Sequence, residues 1–158
     1  MPESPTSVIT DAMQAAIGVE GPPATMEVTT TGIRMFARAV GYTDPTFYDE
    51  AAARARGYRG LVAPPGFMGT AIHRPDGPTF EGMVSLEIPY RRILDGGTTY
   101  EFLEPIVAGD LLTSRSRITE VRERDGSMGP MLIVFREAVF AREDGTVVAK
   151  SRGNLIHY

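Results

Sequence analysis

The chain has 158 residues, enough for one ordinary domain with a single well-formed core. Hydrophobic residues make up 42% and charged residues 23%, and the net charge is −4 with a pI near 5.2; with no Lys/Arg run, nucleic acid and anionic membrane surfaces are excluded as expected partners. There is no Cys, so neither a disulfide frame nor a thiolate metal site is possible, and MPESPTSVITD lacks the basic and apolar regions of a secretory signal, so a cytoplasmic location is expected, with no membrane contact.

Residues 1–17 read as an N-terminal segment. Its first seven positions are rich in Pro, Ser and Thr. Ile9, Met13, Ala16 and Ile17 then recur at helical spacing, and Gly18 closes the run. Residues 18–158 read as one domain. GVEGPPAT is a loop, and the alternation of Met26 and Val28 predicts a short strand over 26–29. A helix follows, with Thr31 as cap, Ile33, Phe36, Ala37 and Val40 on one face, and Gly41 as its stop. Residues 42–48 are irregular around Asp44-Pro45. DEAAARAR (49–56) is a short helix with acid at its start and Arg at its end, as the helix dipole favours, and Gly57 ends it.

Pro64-Pro65-Gly66 opens FMGTAIH, which predicts a slim, apolar, buried helix, since proline is tolerated in a first helical turn. From residue 83 the pattern changes. MVSLEIPY, TTYEFLEPI, LLTSRSRITEV, MLIVFREAVFA and TVVAKSRGNLIHY are rich in β-formers. Asp95-Gly96-Gly97, Gly109-Asp110, Asp125-Gly126 and Asp144-Gly145 punctuate them. Helices followed by an antiparallel meander give an α+β class, and a sheet wrapped around one buried helix is the hotdog arrangement. Other α+β sandwiches share this element order.

The segment GYTDPTFYDEAAARARGYRGLVAPPGF (41–67) carries a resemblance. It is similar to the signature of the MaoC-type (R)-specific enoyl-thioester hydratases, G-D-x-N-P-[LIV]-H-x-D followed by I-A-H-G-M. Gly41, Pro45, Asp49, Ala53, Tyr58, Val62 and Ala63 fall in register. The wider segment from Ile33, with the turn Pro105-Ile106-Val107-Ala108-Gly109-Asp110, resembles the N-terminal MaoC-like dehydratase domains. Among these are the dehydratase region of fungal-type fatty acid synthases and the non-catalytic subunit of hydroxyacyl-thioester dehydratases. The similarity spans roughly residues 20–158.

The resemblance implies a hotdog fold and a reaction that interconverts 2-enoyl and (3R)-3-hydroxyacyl thioesters. That reaction needs a base for water, an acid for Cα and hydrogen-bond donors for an enolate-like oxygen. The family takes the first two from one Asp and one His, and the third from the N-terminus of the central helix. In this chain the Asp position holds Tyr42 and the His position holds Phe47. A phenol titrating near ~10 is a poor base at neutral pH, and Phe transfers no proton. Ungapped, Pro65 falls on the family's Gly and has no N–H to donate; with a one-residue insertion, Gly66 takes that place. No catalytic residue is therefore assigned. Gly66, Phe67, Met68, Tyr42 and Phe47 are the candidate substrate-binding residues, as tunnel lining or as plain core and interface side chains.

Asp44, Tyr48, Asp49 and His73 are the remaining polar candidates. Asp44 reads more simply as a turn residue, Asp49 as a helix cap and the two His as structural. Arg91-Arg92 is an adjacent basic pair that would suit coenzyme A phosphates but reads first as a solvated strand end. No metal-ligand spacing or nucleotide-binding loop is present, and no cofactor is expected.

The expected partners are an acyl-CoA or acyl-carrier thioester and a second hotdog chain, in a hetero- or homodimer. Three readings stay open. The first is a catalytically incomplete subunit that pairs with a chain bearing the Asp and His. The second is a self-sufficient homodimeric hydratase or thioesterase using other residues, although positions 66–73 offer no carboxylate for a thioesterase. The third is an acyl-thioester binding or scaffolding protein.

Overall fold

A computed structural model describes residues 7–72, 82–127 and 129–158. Three helices precede most of the sheet: α1 (Asp11–Ala16), α2 (Thr30–Val40) and α3 (Glu50–Ala55). Six strands form one antiparallel sheet: β1 (Ala24–Glu27), β2 (Thr70–Ala71), β3 (Ile93–Phe102), β4 (Leu111–Gly126), β5 (Gly129–Arg142) and β6 (Val147–His157). Their order across the sheet is β2-β1-β4-β5-β6-β3. The α+β class is present, and of the antiparallel meander expected from residue 83 onward the strands from 93 are present.

The sheet curls because its long strands are bulged. The register of β4 on β5 shifts between Ile118 and Glu120, that of β5 on β6 between Phe140 and Ala141, and that of β3 on β6 between Asp95 and Thr98. Each extra residue increases local twist and bends its strand. Alternation then sends every second side chain inside. Leu132, Val134 and Phe140 of β5 are buried, as are Leu112, Ser114 and Ile118 of β4.

Two apolar clusters fill the concave side. One joins Val28, Ile33, Leu61, Phe67, Met68, Ile106, Leu112, Phe140, Val148 and Ala149. The other joins Met13 of α1 to Ile118, Val121, Leu132 and Val134, with Val84, Leu86, Ile88 and Tyr90 packed against it. Those last four residues alternate as the sequence suggests, yet 83–90 pairs with no strand. It crosses the sheet as an extended cover: alternation reports which face is buried, not whether the backbone joins a ladder.

The helix ends follow from local chemistry. The Thr10 hydroxyl accepts from Met13 N and caps α1, and the Thr29 hydroxyl accepts from Gly32 N at 3.0 Å and caps α2. The cap is thus Thr29 rather than Thr31, and β1 lies at 24–27 rather than 26–29. Val28 explains both shifts. It is buried and exchanges backbone hydrogen bonds with Asp110 O (2.9 Å) and Gly109 N (2.8 Å), so the chain turns into α2 immediately afterwards. Gly41 closes α2 at φ 83, in the left-handed region. An L side chain there costs about 1–2 kcal/mol, so Gly41→Ala is expected to lower unfolding free energy by about that amount in a urea titration.

The expected helix over 64–73 is corrected. Positions 64–72 hold a turn, a short irregular stretch and β2, while His73 lies outside the described residues. Phe67 N donates to Pro64 O at 3.0 Å, and the chain turns at Gly66 (φ 93) and Gly69 (φ 98). A helix cannot contain such residues, and Pro, Gly and Thr already weaken its propensity. β2 instead pairs with β1 through Met26↔Ala71 and Glu27↔Thr70. The helix with side chains in the first cluster is α2, through the fully buried Ile33 and the packed Phe36.

Candidate functional site

The signature-like segment folds as a sequence of caps. Pro45–Phe47 form one 3-10 turn, and the Asp44 carboxylate accepts from Thr46 N at 2.9 Å and Thr46 Oγ1 at 2.7 Å. Arg56 pairs with the same carboxylate at 2.9 and 3.1 Å. Asp49 caps α3 by accepting from Ala51 N at 2.8 Å. Both acids are therefore committed to local structure, as their turn and cap readings anticipate.

The Thr46 hydrogen bonds, with help from Arg56, hold the Asp44 carboxyl down at about 2. A carboxylate whose folded pKa lies below its unfolded value near ~3.9 adds stability above that value and loses it as pH falls. The stability gap between the native chain and Asp44→Asn is thus expected to be constant above about pH 5 and to close between about pH 4 and 2. Denaturant midpoints measured across that range check it.

Tyr42 and Phe47 face each other with ring centroids 5.9 Å apart. The Tyr48 hydroxyl donates to Tyr42 O at 2.6 Å and ties the two ends of the segment together. Phe47 packs against the cluster that contains Phe67 and Met68, and the Phe67 ring lies 5.5 Å from Phe36. Gly66 abuts the Phe36 ring: a Cβ built there would lie 3.4 Å from it. The five candidate binding residues thus gather around one aromatic group that includes Phe36. The Tyr42 and Phe47 rings are tilted by 53° to each other. The backbone at 64–67 beside them is a turn and not the start of a helix.

Nearby, Tyr58, Val62, Ala63 and Pro65 line one side of an apolar groove of about 370 Å³, and Phe102 to Ile106 line the other. Arg91 and Arg92 are exposed, and the backbone of Arg92 exchanges hydrogen bonds with Tyr158 at 3.1 and 3.2 Å. They sit at a strand end. His157 is buried, and desolvation together with the Arg136 charge lowers its pKa.

Arg136 is the residue the sequence reading passed over. It occupies an inward position of β5 between the buried Val134 and the partly buried Ala138. The available signal was parity: positions 132, 134, 136, 138 and 140 point inward, and 136 alone is charged.

A protein-family model described as "FAS1-like, dehydratase domain region" matches residues 15–151. Among curated proteins, the UPF0336 protein Franean1_6066 of Parafrankia sp. (strain EAN1pec) is 36% identical over 125 residues, covering 78% of this chain and 79% of that one. The UPF0336 protein of Saccharopolyspora erythraea is 31% identical over 139 residues, covering 87% of each.

Among solved structures, the C-terminally truncated HadBC (3R-hydroxyacyl-ACP dehydratase) complex from Mycobacterium tuberculosis superposes with TM-score 0.69 at 26% identity, over 89% of this chain and 96% of that one. The ChsH1-ChsH2 complex from the same organism gives TM-score 0.69 at 18% identity over 94% and 97%, a likeness of fold. The curled sheet is thus a hotdog, as expected, with MaoC-like dehydratases as its structural neighbours. With its model spanning most of the residues, the chain belongs to the FAS1-like dehydratase-region family.

Proposed function

We propose that this chain is the non-catalytic half of an (R)-specific enoyl-thioester hydratase, or 3-hydroxyacyl-thioester dehydratase, and that it works with a second hotdog chain bearing the Asp and His. The Tyr42–Phe47 ring pair carries the reading. Two aromatic side chains fill the acid and base positions at 5.9 Å. Neither is the carboxylate or the imidazole that the reaction takes its base and acid from, and the turn at Pro64–Phe67 does not start a helix.

The sheet edge supports a partner. β3 is an outer strand, and all ten of its residues are exposed. Ile93 (58%), Leu94 (54%) and Phe102 (44%) are among them. A long apolar edge invites pairing with another strand. The HadBC and ChsH1-ChsH2 neighbours are complexes by name. The aromatic group around Gly66, Phe67 and Met68 would then border the acyl chain of a thioester bound across the two subunits.

The test is affinity purification from native cells followed by native mass spectrometry. A stable complex with a hotdog chain carrying G-D-x-N-P-x-H supports the reading. A homodimer alone overturns it.

A further inference from the structure

The concave side holds a cavity of about 300 Å³ beside Arg136, away from the Tyr42–Phe47 pair. The cavity is within the ~300–1,000 Å³ range of small-ligand pockets. Met26, Met83 and Phe140 form its apolar wall, while Ser114, Ser151 and Tyr100 supply hydroxyls.

Arg136 is the unusual member. Its two terminal nitrogens both donate to the Val84 carbonyl at 3.3 Å, and its buried Nε has no partner among the described residues. None of the ion pairs formed by the described residues includes it. Two acids share the cavity wall but are engaged elsewhere. Asp95 accepts from Gly97 N at 2.8 Å in the β3 bulge, and Glu137 pairs with Arg117 at 2.5 Å and Arg152 at 3.9 Å. Burial pushes the Arg136 pKa down, as expected for a desolvated cation. Among the described residues, one long carbonyl contact is weak compensation for a guanidinium built to bind an oxyanion with two parallel N–H groups.

We infer that this cavity binds a carboxylate-bearing aliphatic chain, with the carboxylate on Arg136 and the methylenes along Met26, Met83 and Phe140. Two sources share that chemistry: a free fatty acid, and an acyl thioester with a carboxylate at its far end. The site stands on Arg136 and the cavity walls whether or not the chain delegates catalysis.

Calorimetric titration tests it, using the full chain with any partner that co-purifies. Decanoate and decanol are the paired probes. Decanoate is expected to bind about tenfold more tightly than decanol, and Arg136→Gln to abolish that preference while Arg136→Lys retains most of it. Ser151→Leu fills the cavity from β6 without touching the Arg136–Val84 contact, and is expected to weaken decanoate by a similar factor even if Arg136→Gln fails to fold. Equal affinity for the two probes, no binding of either, or decanoate binding untouched by Ser151→Leu overturns the site. Competition by a decanedioyl monothioester identifies the acyl-thioester source; competition by free acids alone identifies the fatty-acid source. Both support the carboxylate site. No arm measures turnover or partner capture, so failure here leaves the proposed function to be judged by its own test.

Discussion

Purified alone, the chain is expected to hydrate a 2-enoyl thioester at no more than about one hundredth of the rate of its complex with a catalytic hotdog chain. General acid–base catalysis contributes ~10²–10⁴-fold, and both groups that would supply it are replaced by Tyr42 and Phe47. Grafting them back with Tyr42→Asp and Phe47→His is expected to leave the isolated chain inactive. The segment 64–67, a turn with Gly66 at φ 93, does not begin a helix whose N-terminal donors could hold the enolate oxygen. Losing one such donor costs about 10²–10³ in kcat in enzymes that use them. Phe47 also packs on the core, so an imidazole there is expected to destabilise the fold as well. Rates on enoyl-CoA for the isolated native chain, the isolated graft and the reconstituted pair decide the matter. An active native chain would sink the delegated reading, and a graft within tenfold of the pair would show that this chain supplies the enolate donors itself.

Much of the fold was legible because the relevant signals are local. Gly41, Asp49 and the Asp125-Gly126 and Asp144-Gly145 pairs act within a few residues of themselves, and the long strands carry their alternation openly, whereas Asp95-Gly96-Gly97 lies inside β3 as a bulge and separates no strands. The helix expected over 64–73 was not legible for the opposite reason. Pro64-Pro65 with apolar neighbours fits both a buried helix and a turn, and the choice lies with Gly66 and Gly69 and with the unpaired edge of β1, which accepts Ala71. Likewise 83–90 has strand alternation without a ladder, because the sheet offers it a face and not an edge. At the site, the expectation that an acid and a base are missing rests on two positions in a pattern. The pairing of their replacements, the place of Phe36 beside Phe67 and the charge of Arg136 inside the curl depend on contacts between segments distant in sequence.

The turn Pro105–Asp110 shows how such distant segments are held, and it carries the largest expected stability effect. Asp110 is buried, with 4% exposed, and accepts from Val107 N at 2.9 Å and Arg142 Nε at 3.1 Å, with Arg59 as a further partner. The same turn fastens two other segments. Ala63 N donates to Ile106 O at 2.8 Å and Ala108 N to Leu61 O at 2.8 Å, while Val28 N reaches Asp110 O at 2.9 Å. One carboxylate thereby fixes the loop that sets both the 61–63 stretch and the entry to α2. Asp110→Ala leaves the buried Val107 N–H without its acceptor and the largely buried Arg142 with the Pro105 carbonyl but no counter-charge among the described residues; Arg59 is mostly exposed and contributes little. Removing one partner from a buried ionic network costs about 3–5 kcal/mol. For a domain of this size that lowers Tm by roughly 10 °C. Asp110→Asn keeps an acceptor for Val107 N and is expected to lose about half as much. Thermal unfolding followed by circular dichroism reads both. An Asp110→Ala protein within about 1 kcal/mol of the native chain would show that the backbone bonds of the turn suffice. The Asp in the P-x-x-G-D turn would then owe its place to something other than this ionic knot.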